Sequence, residues 1–106
     1  INIFDATPRA LPYQLDMMER HPLGSQAFIP MTDTPFLITA AKDNSGVPDQ
    51  VRAFLSRPGQ AINFHRNIWH GVLTPLHAPG LFAVIDRIGE GNNLEEFTFD
   101  TPYNIQ

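Results

Sequence analysis

No cysteine occurs among the 106 residues. That absence excludes disulfides, thiolate nucleophiles and any cysteine-ligated metal, and it fits a cytoplasmic protein. Basic residues are scarce and scattered singly: seven Lys and Arg against eleven Asp and Glu, for a net charge of −4. Such a chain has no basic stripe for phosphate backbones or anionic lipid, so neither nucleic acid nor a membrane is an expected partner. Its apolar runs fall far short of the roughly 18 to 20 residues a membrane-spanning helix needs, and its amino end lacks the pattern of a signal peptide. Uninterrupted stretches of any kind are also missing, because ten prolines and seven glycines break the chain at short intervals. Helices of ordinary length have little room, whereas many short strands joined by turns do.

What is present describes an ordinary globular chain, 42% hydrophobic and 17% charged, of a length that suits one domain with a modest core. A single domain over residues 1–106 is expected, with oligomerisation covering apolar faces. The opening run Ile1, Asn2, Ile3, Phe4 reads as the middle of a strand, so an amino-terminal portion is expected before it. Tyr13, Leu15 and Met17 alternate with Gln14 and Asp16, the period of a half-buried strand; a helix over 15–20 competes, since Leu, Met and Glu favour helix. Further strands are expected over 26–31, 35–41, 51–55, 81–87 and 94–99. Turns or loops are expected over 21–24, 42–48, 57–60, 77–80 and 89–93, where Pro, Gly and Asn supply the required backbone angles. About nine short strands make a double-sheet sandwich or jelly roll the leading architecture.

Chemistry-bearing side chains are densest over 61–74, AINFHRNIWHGVLT, which packs two of the four histidines and the sole tryptophan beside an arginine and an asparagine. Three constellations stand out. Glu19 and His21, two apart, share a strand face, and Gln26 enters from the next strand. His65, Arg66, Asn67, Trp69 and His70 form the second, and Asp86 with Arg87 the third. Together they suit an anion site with acid/base function. A guanidinium grips a carboxylate through two parallel hydrogen bonds, histidine moves protons near neutral pH, and the Asn67 and Gln26 amides suit a urea-like or carbonyl group. A divalent metal on His21, His70, Glu19 or Gln26 is the competing reading. The plainer readings are a turn cap for His21, a surface position for His77, core packing for Trp69, satisfied histidines at 65 and 70, and a rim ion pair for Asp86 and Arg87.

Residues 19–31 (ERHPLGSQAFIPM), 51–76 (VRAFLSRPGQAINFHRNIWHGVLTPL) and 84–87 (VIDR) resemble the ureidoglycolate lyase family. The resemblance covers most of the chain and rests on two unusual strings, HPLG-x-QAFIP and FHRN-x-WH. It implies an all-β cupin-type double-stranded β-helix, or jelly-roll barrel, acting as a homodimer. It further implies cleavage of ureidoglycolate to glyoxylate and urea in allantoin and purine breakdown. Cupins carry H-x-H-x4-E in one motif and a further His in a second, which together bind a metal. Here Glu19-x-His21-x4-Gln26 takes the place of the first, and His70 falls at the second. Two of four positions depart from the metal-binding pattern, so no cofactor is expected to be required; an ion, if held, would sit on His21, Gln26 and His70.

The roles that follow are His21, His70 and Gln26 as catalytic, and Glu19, His65, Arg66, Asn67 and Arg87 as substrate-binding. Arg66 or Arg87 would clamp the carboxylate. A non-catalytic cupin-like domain that binds a small carboxylate, and a metal-dependent cupin enzyme, are the alternatives.

Overall fold

The computed structural model describes residues 1–106 and contains strands but no helix. Ten strands are present: β1 (Asn2–Asp5), β2 (Tyr13–Arg20), β3 (Gln26–Pro30), β4 (Phe36–Asn44), β5 (Val47–Leu55), β6 (Ile62–Phe64), β7 (Trp69–His70), β8 (Thr74–Pro75), β9 (Leu81–Asp86) and β10 (Glu95–Ile105). They form two antiparallel sheets. One runs β1-β9-β3-β6; the other runs β10-β2-β7-β4-β5, with β8 also on β4. The sheets curl toward each other as a cupin-type barrel open along one side.

β2 extends through the segment where a helix competed. Its alternate residues meet different neighbours: Glu19 pairs in register with His70 of β7, while Arg20 and Met18 turn to the opposite face. The expected loop over 42–48 shrinks to a two-residue turn. Ser45 and Gly46 both have positive φ, 52° and 88°, the requirement of a tight hairpin turn whose twist matches its strands. β4 and β5 therefore run on to Asn44 and from Val47. β10 is likewise longer than the alternation over 94–99 suggested. It continues past a register break between Thr98 and Tyr103, a bulge that accommodates Pro102.

The space between the sheets is filled by Phe28, Phe36, Phe64, Phe82 and Val84, with Ile38, Ala40 and Ile62 against them. Phe36 and Phe82 meet edge-to-face at 5.0 Å between ring centres, and Phe28 and Phe64 at 6.0 Å. Burying each such ring contributes roughly 1.5–3 kcal/mol. The void between Phe28, Phe36 and Phe64 is about 10 Å3, barely one water, while a wider cavity of about 490 Å3 opens beside Ile38, Ile62 and Phe64. A second cluster, Leu15, Met18, Ala41 and Trp69, packs on the other face of the larger sheet with Phe97, Phe99 and Ile105.

Candidate active site

β7 is two residues long yet sits in the middle of the larger sheet, between β2 and β4. Register sets His70 opposite Glu19 on one side and Ala40 on the other. The chain then turns at Gly71, whose N–H bonds both the carbonyl and the hydroxyl of Thr39, at 3.2 and 3.1 Å. A methyl group at position 71 would collide with Thr39 Oγ1, so glycine is what allows this close approach. His70 is 1% exposed and stacks on Phe64 at 4.4 Å with planes 13° apart. Its Nδ1–H donates to the Gly71 carbonyl at 2.9 Å. Nε2 therefore carries a lone pair, and it has no hydrogen-bond partner although it is buried. Burial, with a smaller push from His21, lowers the His70 pKa to about 4 against the opposing Gly71 hydrogen bond; the ring is neutral at pH 7.

His21, one residue past β2, lies with its ring centre 5.2 Å from that of His70. Its Nδ1 meets the Asn93 carbonyl at 2.7 Å, and its Nε2 meets Gln26 Oε1 at 2.9 Å. Gln26, the first residue of β3 and 6% exposed, donates its Nε2 to Asp86 Oδ2 at 3.1 Å. Both ring nitrogens of His21 thus face oxygen acceptors, so each is placed to donate. Glu19 completes the cluster: burial pushes its carboxyl upward, the nearby His21 opposes that, and Glu96 adds to it. One carboxylate oxygen of Glu19 and one ring nitrogen each of His21 and His70 lie within 4.8 Å of one another.

Those three donors are close enough to share a divalent ion. His70 is oriented as ligand imidazoles are, one nitrogen on a carbonyl and the other free. His21 is not, since both its nitrogens are engaged. As arranged, the cluster presents two free donors, Glu19 and His70, and does not fit an ion without His21 first releasing Gln26.

Four of the expected residues, Glu19, His21, Gln26 and His70, therefore come together from β2, β3 and β7. The other four lie around them. Asn67, held at φ 68° as Asn tolerates, donates its backbone N–H to the His21 carbonyl at 3.1 Å, which ties the turn over 65–68 to the one over 21–24. His65, Arg66 and Arg87 are exposed, and none is hydrogen-bonded or ion-paired to the cluster. Arg87 lies along Gly24 and folds its guanidinium over Gly89. His77 is exposed. Trp69 points the other way, with Nε1 on Asp43 Oδ1 at 3.0 Å and the Arg20 guanidinium 4.7 Å above its ring.

Two further participants had no role assigned from sequence: Asp86, singled out there only as a pair with Arg87, and Asn93. Asp86 looked like half of a rim ion pair with Arg87, yet antiparallel register places it directly opposite Gln26; the alternation of β9 was the available clue. Asn93 acts through its backbone carbonyl on His21 and its side chain on the Leu23 N–H at 2.7 Å, for which no sequence signal exists.

A curled all-β barrel that packs a buried histidine against a second, half-buried one defines a cupin-type protein. A family model described as ureidoglycolate lyase matches residues 1–106, and the chain belongs to that family. It is similar to proteins named ureidoglycolate lyase from Rhodobacter capsulatus, 55% identical over 106 residues, Chelativorans sp., 54% over 105, and Agrobacterium fabrum, 51% over 105. The matches cover 99 to 100% of this chain and 63 to 66% of those relatives, so the chain spans just under two thirds of their length.

Proposed function

We propose that this chain cleaves ureidoglycolate to glyoxylate and urea through acid/base chemistry shared by His70 and His21. One carbon of that substrate bears a hydroxyl, a carboxylate and a ureido nitrogen, so the reaction needs a proton taken from oxygen and one given to the departing nitrogen. His70 Nε2, neutral and unpaired, takes the hydroxyl proton as the C=O bond forms and the C–N bond breaks. His21 Nε2–H, released from Gln26 Oε1 by the incoming ureido group, delivers the other. The net change is one proton moved from oxygen to nitrogen, and no water is consumed. The Glu19 carboxylate stabilises the imidazolium that forms on His70, and Gln26 and Asn67 orient the urea. Arg66 and Arg87, with His65, receive the carboxylate at the rim. The observation that carries this reading is the free lone pair on buried His70 Nε2, set against a His21 whose nitrogens both face acceptors.

Glyoxylate release from racemic ureidoglycolate, followed continuously, tests it. Removing either histidine is expected to cost about a hundredfold to ten-thousandfold in rate; full activity in both His70→Ala and His21→Ala, with the fold intact, would overturn the assignment. The close approach of Glu19, His21 and His70 favours a metal-dependent second reading, in which those three residues would hold an ion that polarises substrate oxygen; loss of turnover with a chelator would promote it. The same assignment carries a cytoplasmic homodimer. Ile3, Phe54 and Leu55 are 60, 51 and 57% exposed, apolar side chains that a second copy would cover, and sedimentation of the purified protein checks it.

A further inference from the structure

A glutamine amide is nearly symmetric in shape, and its two ends impose opposite demands on a histidine. When the oxygen faces the ring, the ring nitrogen must donate; when the NH2 faces it, the ring must accept. Gln26 is 6% exposed, so water does not arbitrate between these states. The atom at the far end of the amide does. That atom is Asp86 Oδ2, 3.1 Å from Gln26 Nε2. A carboxylate oxygen only accepts, and turning the amide over would set two acceptors against each other at the loss of a charge-assisted hydrogen bond.

Nothing else claims Asp86. Gln26 is its only side-chain hydrogen-bond partner, neither ion pair in the molecule involves it, and the adjacent Arg87 is exposed with its guanidinium beside Gly89. Register makes the contact obligatory, since Gln26 and Asp86 are directly paired between β3 and β9. We propose that Asp86 is a positioning residue that locks the Gln26 amide with its oxygen toward His21, and thereby makes His21 Nε2 a proton donor. Its catalytic consequence rests on the acid/base reading above; the locking of the amide does not. The logic is that of an aspartate holding a catalytic histidine in one tautomer, relayed here through an amide.

Asp86→Asn is the decisive variant, because asparagine keeps the size of aspartate and can hydrogen-bond Gln26 in either amide orientation. A purely structural role predicts that Asn is as good as Asp. The positioning role predicts that kcat falls about 10–100-fold while KM changes little, and that the one-bond 1H–15N correlation at His21 Nε2 weakens or vanishes relative to the wild type under the same conditions. A wild-type kcat in Asp86→Asn, or an Nε2 proton that persists in it, overturns the proposal. If the wild type releases no glyoxylate, the reaction assignment fails by itself, and the ring spectrum still decides what Asp86 does to Gln26.

Discussion

Trp69 and His70 are neighbours on a two-residue strand, and they illustrate two uses of polar groups. On the face of Trp69 every partner is matched. Arg20 reaches Asp43 and Glu95, each at 2.8 Å, stacks on the indole, and shares Asp43 with the indole N–H. These hydrogen bonds hold the Asp43 carboxyl below its usual range, the indole contact first among them. On the face of His70 the cluster is left incomplete, with one ring nitrogen buried and unpaired. A network that satisfies all its donors and acceptors rigidifies a sheet; one that withholds a partner keeps a lone pair ready for a ligand or a proton.

Substitutions that treat the two faces alike sharpen this contrast. His70→Ala is expected to leave a folded protein that has lost a hundredfold or more in kcat, whereas Trp69→Ala should lose about 3–5 kcal/mol of stability and keep its kcat while folded. Chemical denaturation beside steady-state kinetics reads both, and a His70 variant that only destabilises would erase the distinction.

Acid should strike the His70 face next. Its folded pKa is about 4, depressed below an unfolded value near 6.5, so as pH falls the unfolded chain takes the proton first. The stability contribution is complete above pH ~6.5 and is lost progressively down to pH ~4, by about 3 kcal/mol in all. Denaturation midpoints at pH 7 and 5 check this, and the slope should flatten in His70→Asn.

Gly71→Ala lies between the faces. Its methyl group meets Thr39, and the strain should cost about 1–3 kcal/mol and lower kcat as well, because the carbonyl that anchors His70 Nδ1 moves. The smallest effect is expected from Glu95→Gln. Glu95 is half-exposed, Asp43 still holds Arg20, and the loss should stay within about 1 kcal/mol with activity unchanged.

Much of this was readable along the chain. The alternation in β2, the punctuation by Pro and Gly, and the spacing of Glu19 and His21 gave the strands and put those two side chains on one face. Gln26 joined them as the entry to the next strand, and resemblance to a family motif set His70 among them. The length of the β4–β5 hairpin was hidden because polar residues over 42–48 look like a loop whether or not their backbones pair. The partner of Asp86 was hidden for a related reason: an Asp-Arg dipeptide on a strand turns one member inward, and only the neighbouring strand reveals which one and what it meets.

Sequence by itself determined the class of fold and the residue types available for chemistry, because period, turn residues and composition are local properties. Tertiary structure decided which nitrogen of His70 is free, which way Gln26 turns its amide, and why Trp69 serves stability while its neighbour does not. Those outcomes depend on burial and on hydrogen-bond partners as far as 72 residues away, as Asn93 is from His21, and a linear pattern carries neither.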